Sequence, residues 1–214
     1  MPELPEVEIY RRQFEEVALA QTIASVKTEN EGRMIPQGVE HLQESLIGQR
    51  FEGTERVGKF LFIRLTNGEF LLWHFGLTGS FTYFKEEEMR HRFARIWVYF
   101  ENGWILTFNS LRKFSRMEVT PTIEELLSRR KIGPDVLRMS TEDFTHSMIR
   151  RRVNIKAALL EQKKFAGIGN WIADEMLFQT CIHPETPCDQ LSEQQYAQLH
   201  QWVIDIIQTT LDYD

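Results

Sequence analysis

Residues 156–175 read KAALLEQKKFAGIGNWIADE, and this stretch decides the fold of the second half of the chain. Two helical stretches flank residues 167–170, Gly-Ile-Gly-Asn. The two glycines permit a tight turn and a close backbone approach, and Asn170 opens a helix whose N–H groups suit a phosphate. Standing alone, the segment would be interpreted as a simple interhelical turn. A dinucleotide-binding loop is excluded, because Ile172 replaces the third glycine of G-x-G-x-x-G and a helix precedes the motif.

The chain opens with Met-Pro-Glu-Leu-Pro-Glu-Val-Glu. Removal of Met1 would leave Pro2 as an N-terminal secondary amine with the Glu3 carboxylate beside it. Free α-amino groups have a reference pKa of about 7.7–8.0, so an appreciable fraction is unprotonated at neutral pH and can attack a carbonyl carbon. Glu3 can move the protons. Taken alone, these residues would favour a simpler interpretation, in which Pro2 and Pro5 stiffen the start of a helix.

Together the two segments resemble those of one family. MPELPEVE at the N-terminus and K-x-x-LL-(D/E)-Q-x-x-x-AGIGN-x-x-ADE form the double signature of the formamidopyrimidine-DNA glycosylase and endonuclease VIII family, and their order and separation also fit. The likeness runs from Met1 to about Leu191. It is closer to the formamidopyrimidine branch, because the chain opens with Pro-Glu-Leu-Pro and because residues 74–79, His-Phe-Gly-Leu-Thr-Gly, are close to H-L-G-M-T-G.

The composition is that of a globular enzyme, but the charge is unusual for a DNA-binding protein. The chain has 214 residues, 42% of them hydrophobic, and a net charge of −6. DNA-binding proteins generally carry a basic footprint that releases counterions from phosphate. Here the basic residues are clustered at 90–92, 112–113, 128–131, 150–152 and 163–164, and acidic runs lie at 15–16 and 86–88.

The sequence has no run of 18 apolar residues and no signal-peptide pattern, so we expect a cytoplasmic, nucleoid-associated protein without membrane contact. Cys181 and Cys188 predict packing thiols in a reducing compartment. Together with His183 they make a poor zinc site, because a structural zinc needs four ligands at tighter spacing.

The resemblance implies a further element, a lesion-recognition loop and a zinc finger with four cysteines after the last long helix. We expect this finger, with its phosphate-holding arginine, to be absent from a chain that ends at Asp214. Either the natural protein is longer or it is a form without zinc. No metal or organic cofactor is expected to take part in the chemistry.

Apolar residues at helical spacing predict a helix over residues 4–19. Strands follow, because Asn67-Gly68 and Asn102-Gly103 each separate two apolar runs, which is a strong hairpin signal. The four runs are residues 60–65, 70–73, 96–100 and 104–108. Helices are predicted at 123–130, from a capped start at Ser140, at 154–162, at 170–179, and from Ser192 with Gln195 completing a capping box.

The pattern and the resemblance together imply an α+β fold. An N-terminal helix and a two-layered antiparallel β-sandwich would form a catalytic domain over residues 1–131. A helical domain with a helix-two-turn-helix DNA-binding motif would cover residues 132–214. Residues 131–135, Lys-Ile-Gly-Pro-Asp, are the predicted hinge.

The resemblance also implies roles for four catalytic residues. Pro2 corresponds to the amine that attacks C1′ of the damaged nucleotide and forms an imine, or Schiff base. Glu3 would protonate the sugar ring oxygen, and Glu6 would help to position the N-terminus and the lesion. Lys59 matches the lysine at a strand start that binds phosphate and supports proton transfer, although an ordinary strand-end lysine would fit the same position.

DNA contacts are implied in the same way. Leu77, where methionine is usual, and Arg112 and Phe114 match the wedge that fills the gap left by a flipped nucleotide. Flipping costs a few kcal/mol of stacking, which inserted apolar side chains partly restore, while Arg112 can hydrogen-bond the orphaned base. As isolated residues, Leu77 and Phe114 would also fit a hydrophobic core. The other predicted DNA contacts are His91, Gly169 and the phosphate-gripping Lys156 and Asn170.

Two departures from the family pattern lie near the wedge. Ser110 replaces the aspartate that commonly precedes the Arg-x-Phe segment. Phe93 stands where a second histidine often follows His91. Each is expected to alter a DNA contact without abolishing binding.

The function that the resemblance implies is a bifunctional DNA glycosylase and AP lyase of base-excision repair. It would act as a monomer on damaged double-stranded DNA and remove oxidised purines such as 8-oxoguanine and formamidopyrimidines. The alternative is a non-catalytic or weakly active binder of abasic or damaged DNA. Pro2, Glu3 and Lys59 argue against that alternative, because a pure binder has no need of all three.

Overall fold

A computed structural model describes residues 1–29, 32–85 and 91–213. The acidic run at 86–88 and Arg90 of the first basic cluster lie outside the described residues. The chain divides into two compact units, with the change between Leu126 and Leu127. Residues Glu3–Pro5 belong to the second unit, although Met1–Pro2 and the chain from Glu6 onward belong to the first.

Strands dominate the first half of the chain, and helices dominate the second. The helices are α1 (Leu4–Ala18), α2 (Val39–Leu46), α3 (Ile123–Arg130), α4 (Thr141–His146), α5 (Ile155–Leu159), α6 (Asn170–Gln179) and α7 (Glu193–Asp212). The strands are β1 (Ile23–Thr28), β2 (Phe51–Val57), β3 (Phe60–Leu65), β4 (Phe70–His74), β5 (Gly79–Phe84), β6 (Ala94–Phe100), β7 (Ile105–Ser110) and β8 (Arg116–Thr120).

The first unit contains two four-stranded antiparallel sheets, in the orders β1-β6-β7-β5 and β2-β3-β4-β8. Both predicted hairpins are confirmed, since β3 pairs with β4 and β6 with β7. Gly68 and Gly103 have φ values of 88° and 85°, which glycine adopts without steric cost. The α+β class with two antiparallel sheets is therefore confirmed.

One hydrophobic core joins the two sheets and α1. Trp73 of β4 and Phe108 of β7 have ring centroids 5.0 Å apart, so side chains of the two sheets interdigitate. Phe14 of α1 packs edge-on against Trp73 at 5.5 Å. The predicted helix over residues 4–19 thus covers the sandwich with its apolar face.

The second unit is helical, and two of its predicted helix starts are confirmed by their caps. The Ser140 side chain accepts from the Asp143 N–H at α4. Ser192 and Gln195 form the predicted capping box at α7. Leu4, which begins α1, is fully buried in this unit's core.

The helix predicted over residues 154–162 is shorter than expected and ends at Leu159. The Glu161 N–H donates to the Ala158 carbonyl, which tightens the chain into a turn. Gln162 lies outside the helix, where its side-chain amide donates to the carbonyls of Leu160 and Ile168. A glutamine has good helix propensity, so the early stop goes with these side-chain contacts rather than with the propensity of Gln162.

The predicted hinge at residues 131–135 is bound into the second unit over most of its length. The Gly133 N–H donates to the Gln162 carbonyl at 2.9 Å, and the Ala166 N–H to the Pro134 carbonyl at 2.9 Å. A Cβ on Gly133 would lie 2.4 Å from the Lys163 carbonyl oxygen. The hinge prediction is therefore wrong for this part of the segment.

None of the helices in the described ranges is long and apolar enough to span a membrane.

Candidate active site

The Glu3 side chain lies at the N-terminus of α6. Its carboxylate oxygens accept hydrogen bonds from the backbone N–H groups of Trp171 at 3.1 Å and Ile172 at 3.4 Å. Glu3 is only 2% exposed. A helix start offers unpaired N–H groups and a partial positive charge, both of which stabilise a carboxylate. The expectation that these N–H groups are available for a phosphate is therefore corrected, because Glu3 occupies two of them.

The two glycines of the Gly-Ile-Gly-Asn turn make room for the N-terminal peptide. A Cβ on Gly169 would lie 2.0 Å from Cδ of Glu3, and a Cβ on Gly167 would lie 2.5 Å from Cδ1 of Leu4. A Cβ essentially never comes within 3.0 Å of a non-bonded atom, so a side chain at either position would force the Glu3 or Leu4 side chain out of its place. Gly167 also has a φ of 116° and accepts from the Leu4 N–H at 3.4 Å. Gly169 thus has a structural role toward Glu3, in addition to the predicted DNA contact.

The residues around Glu3 in sequence are partly accessible. Met1 is 50% exposed, and Pro2 is half-buried. Glu6 is half-buried in the first turn of α1, one turn before Tyr10. Burial raises the pKa of Tyr10, and the charge of Glu6 raises it further.

Lys59 lies in the tight turn between β2 and β3. Val57 pairs with Phe60, so Gly58 and Lys59 form a two-residue hairpin loop, and Gly58 has the positive φ of 56° that such loops require. Lys59 is 8% exposed, which is unusual for a lysine at a hairpin tip.

An ion-pair network connects this hairpin to α1. Arg56 donates through Nη1 to the Gly58 carbonyl at 3.0 Å and through Nε to Glu8 at 3.3 Å. Glu8 also accepts from Arg11 at 2.8 Å and from Arg12 at 3.3 Å. Burial alone would raise the pKa of Glu8, but the hydrogen bond and charge of Arg11 and the charge of Arg56 lower it below its ordinary value.

The predicted wedge residues lie on two loops of the first unit that contact each other. Gly76, with a φ of 61°, packs so closely that a Cβ would lie 2.6 Å from the carbonyl carbon and oxygen of Phe114. The Arg112 N–H donates to the Thr78 hydroxyl at 3.2 Å. Leu77, between these contacts, is half-buried, whereas Phe114 is 61% exposed. Phe114 is therefore not a core residue.

The two departures from the family pattern contact each other beside the wedge. The Ser110 N–H donates to the Phe93 carbonyl at 2.9 Å. The Ser115 hydroxyl lies 2.8 Å from both the Ser110 hydroxyl and the Phe75 carbonyl oxygen, so it connects the two ends of the Arg112 loop to the neighbouring loop. His91 is exposed, and its Nδ1 accepts from the Phe93 N–H at 3.2 Å.

The predicted phosphate-binding lysine and three residues of the basic clusters pair with carboxylates inside the second unit. Lys156 Nζ lies 2.6 Å from Asp174 Oδ1. Asn170 is exposed at the start of α6. Arg151 pairs with Glu161, and its hydrogen bond lowers the pKa of that carboxyl. Other pairs are Arg152 with Asp189 at 3.7 Å and Lys163 with Glu161 at 3.5 Å.

The cysteines do not fit the four-cysteine zinc site of the family. Both are free thiols; Cys181 is exposed and Cys188 is buried, and burial raises the pKa of the Cys188 thiol. Across the described ranges, no group of three or more His, Cys, Asp or Glu side chains is arranged to hold a metal.

Sequence reasoning missed several residues that contact the predicted site residues or the loops that carry them. Glu8 and Arg56 were not singled out, and neither were Gln162, Asp174 and Ser115. Opposite charges in α1 and β2 were the only sequence signal for the first pair. For Gln162 the signal was its place in the LL-(D/E)-Q motif, which names the residue without giving its contacts.

Comparison with known proteins defines the class as the DNA glycosylases of base-excision repair. The model for the formamidopyrimidine-DNA glycosylase N-terminal domain matches residues 1–117, and that for the formamidopyrimidine-DNA glycosylase H2TH domain matches residues 132–214. The chain belongs to the formamidopyrimidine-DNA glycosylase family.

Relatives of that name cover nearly all of the chain. The one from Streptococcus mutans is 31% identical over 99% of this chain and 78% of its own length. The one from Arabidopsis thaliana is 31% identical over 100% of this chain, which spans 59% of the relative's length. The glycosylase of Lactococcus lactis bound to DNA with an AP site superposes with a TM-score of 0.92 and 30% identity, covering 99% of this chain and 82% of that one.

Proposed function

We propose that the chain is a bifunctional glycosylase and AP lyase that removes oxidised purines, 8-oxoguanine and formamidopyrimidines, from double-stranded DNA. The observation that carries the proposal is the Glu3 carboxylate, which follows Pro2 directly and is held by two backbone N–H groups of α6. A fixed carboxylate beside an amine nucleophile is the arrangement that covalent catalysis with proton transfer needs.

The chemistry follows from a secondary amine. The Pro2 nitrogen forms a bond to C1′ while the bond from C1′ to the base breaks, and the base leaves with the electron pair. Glu3 takes the proton from the nitrogen and returns it to the ring oxygen O4′, which opens the sugar and leaves an iminium ion. The iminium ion acidifies the C2′ proton, which the Glu3 carboxylate, free again after protonating O4′, accepts. The C–H electron pair forms the C1′–C2′ double bond of an enamine, and this expels the 3′ oxygen with its phosphate as the C3′–O3′ bond breaks. Lys59 and Glu6 would assist at the phosphate and the N-terminus.

The steps as far as strand cleavage need no cofactor, because the amine, the carboxylate and the DNA supply every atom and electron pair. Water then hydrolyses the iminium ion, which breaks the bond from C1′ to nitrogen and frees Pro2. Solved relatives support the choice of substrate, since Lactococcus lactis structures contain an AP site or an N7-benzyl-Fapy-dG in DNA. Because the substrate is chromosomal DNA, we propose a nucleoid-associated monomer in the cytoplasm.

Borohydride trapping tests the proposal. The protein with Met1 removed should form a covalent complex with an abasic duplex under borohydride, and the cross-link should map to Pro2. The matched control carries extra residues before Pro2, which turn its nitrogen into an amide, and should not cross-link. A chain that binds the duplex but never cross-links would instead be the non-catalytic binder.

A further inference from the structure

The Gln162 side chain makes three hydrogen bonds around the Gly-Ile-Gly-Asn turn. Its Nε2 donates to the Ile168 carbonyl at 2.6 Å and to the Leu160 carbonyl at 3.2 Å. Its Oε1 accepts from the Gly167 N–H at 3.2 Å. One amide group therefore bonds the Ala166–Gly167 and Ile168–Gly169 peptide units, which flank the Gly167–Ile168 peptide.

The peptide unit between these two, Gly167–Ile168, holds the N-terminal residues. The Gly167 carbonyl accepts from the Leu4 N–H, and the Leu4 side chain lies against the Gly167 Cα, where a Cβ would collide with it. Leu4 is fully buried in the core of this unit. The orientation of the Gly167–Ile168 peptide, which Gln162 restrains through the peptide units on either side, thus influences where Leu4 and the neighbouring Glu3 can lie.

The geometry points to Gln162 as a positioning residue for the nucleophile: by clamping the Gly167–Ile168 turn, it holds Leu4 and Glu3 and so fixes the amine of Pro2. This inference rests on the proposed function, because it assigns Pro2 as the nucleophile. Gln162 touches no reacting atom. Its effect would come through the placement of Glu3 on the Trp171 and Ile172 N–H groups.

Replacement of Gln162 by methionine keeps the length of the side chain and removes all three hydrogen bonds. At saturating abasic DNA, the rate of borohydride-trapped complex formation should fall about ten-fold or more, because a misplacement of about 1 Å can cost on the order of 100-fold. Binding to a duplex with a tetrahydrofuran abasic analogue should change less than about two-fold. That duplex forms no imine, so its affinity does not depend on the placement of the Pro2 amine for attack. Gln179→Met is the matched control, because the Gln179 side chain is exposed and its amide donates to Glu175 on the same helix.

A second measurement does not depend on activity. Hydrogen exchange at the Trp171 and Ile172 amides should accelerate in Gln162→Met and stay unchanged in Gln179→Met. Gln162→Glu, which keeps the acceptor for Gly167 and loses both donors, should also accelerate exchange and serves if the methionine variant fails to fold.

The outcomes separate the two proposals. If the unchanged protein never traps abasic DNA, the proposed function fails, while amide exchange still decides whether Gln162 anchors the N-terminus. If trapping and exchange in the Gln162 variants equal those of the unchanged protein, the positioning role is refuted and the proposed function stands. A trapping loss that disappears at saturating DNA would also refute it, because Gln162 would then act on DNA binding alone.

Discussion

Gly76 lies directly against the backbone of Phe114, so close that a Cβ on Gly76 would come within 2.6 Å of the Phe114 carbonyl carbon. The contact joins the loop that carries Leu77 to the loop that carries Arg112 and Phe114. Since both partners are backbone, no side-chain rotation can relieve the collision.

Gly76→Ala should therefore displace the Phe114 loop. We expect a marked loss of base excision from damaged duplex and a smaller loss of cleavage at a preformed abasic site, which needs less unstacking. Gly68→Ala is the matched control: Gly68 has a φ of 88° but no atom within 4 Å of the added Cβ. It suffers the same backbone strain, about 1–2 kcal/mol, without the collision. Equal losses on the two substrates would contradict the wedge.

Phe114→Ala should reduce excision of a damaged base while leaving the fold intact. Phe114 is 61% exposed, so its removal should change the free energy of unfolding by no more than about 0.5 kcal/mol. Phe178→Ala, at a residue 75% exposed on α6, is the control and should change neither stability nor excision. Thermal unfolding and single-turnover excision measure both effects. A large loss of stability in Phe114→Ala would make Phe114 a residue of the fold.

Asp174→Asn should strengthen DNA binding, because it releases Lys156 from its ion pair at 2.6 Å. The slope of log K against log salt should become steeper, and Lys156→Met in the Asp174→Asn background should remove about 0.9 from it, the share of one phosphate contact. Asp205→Asn changes the net charge equally and serves as the control. Identical gains from Asp174→Asn and Asp205→Asn would show that only net charge matters. For the unchanged protein we expect a shallow slope.

Glu8→Gln should slow strand cleavage, since Arg56 would lose its ion pair with Glu8 while still bonding the Gly58 carbonyl beside Lys59. Removing a charged hydrogen-bond partner of this kind costs roughly 1–3 kcal/mol of stability. Because the folded pKa of Glu8 is lowered, this contribution is present above the ordinary value of 4.5 and is lost as pH falls through the folded pKa. The free energy of unfolding of the unchanged protein should exceed that of Glu8→Gln by less at acid pH than at neutral pH. Glu55→Gln, which breaks only the exposed pair with Arg64, is the control.

His200 should make the stability of the second unit dependent on pH. It is 4% exposed, its Nδ1 lies 2.9 Å from the Thr141 hydroxyl, and burial lowers its pKa below the ordinary 6.5. The unfolded chain then binds the proton more readily, so the free energy of unfolding should decrease as pH falls below about 6.5. His200→Gln should flatten this dependence, and the exposed His146→Gln should not. If the free energy of unfolding of His200→Gln still depends on pH in this range, a different titratable group is responsible.

Local signals in the sequence were sufficient for much of the fold. Asn-Gly turns marked both hairpins, and Ser192 with Gln195 marked the start of α7, because these signals act within a few residues. The prediction that α5 reaches residue 162 was wrong, because helix propensity does not include side-chain contacts with the turn that follows. The end of α5 goes with the hydrogen bond from Gln162 to the Ile168 carbonyl.

The site was predictable residue by residue but not in its contacts. The motif named Glu3 and Gly169, yet the hydrogen bond from Trp171 to Glu3 joins residues 168 positions apart in the sequence. The pairing of Lys156 with Asp174 was likewise hidden, since the two residues lie on different helices, α5 and α6. The domain division after residue 131 stays a prediction.

The collision that any side chain on Gly169 would have with Glu3 bears on how such sequences are recognised in genomes. A descendant that had lost all affinity for nucleic acid would still need this glycine to seat its first residues. The Gly-Ile-Gly-Asn pattern is therefore a marker of an anchored chain start, and it should be searched for jointly with a glutamate at the third residue. A gene that keeps one and lacks the other is a candidate for decay or for a changed chemistry.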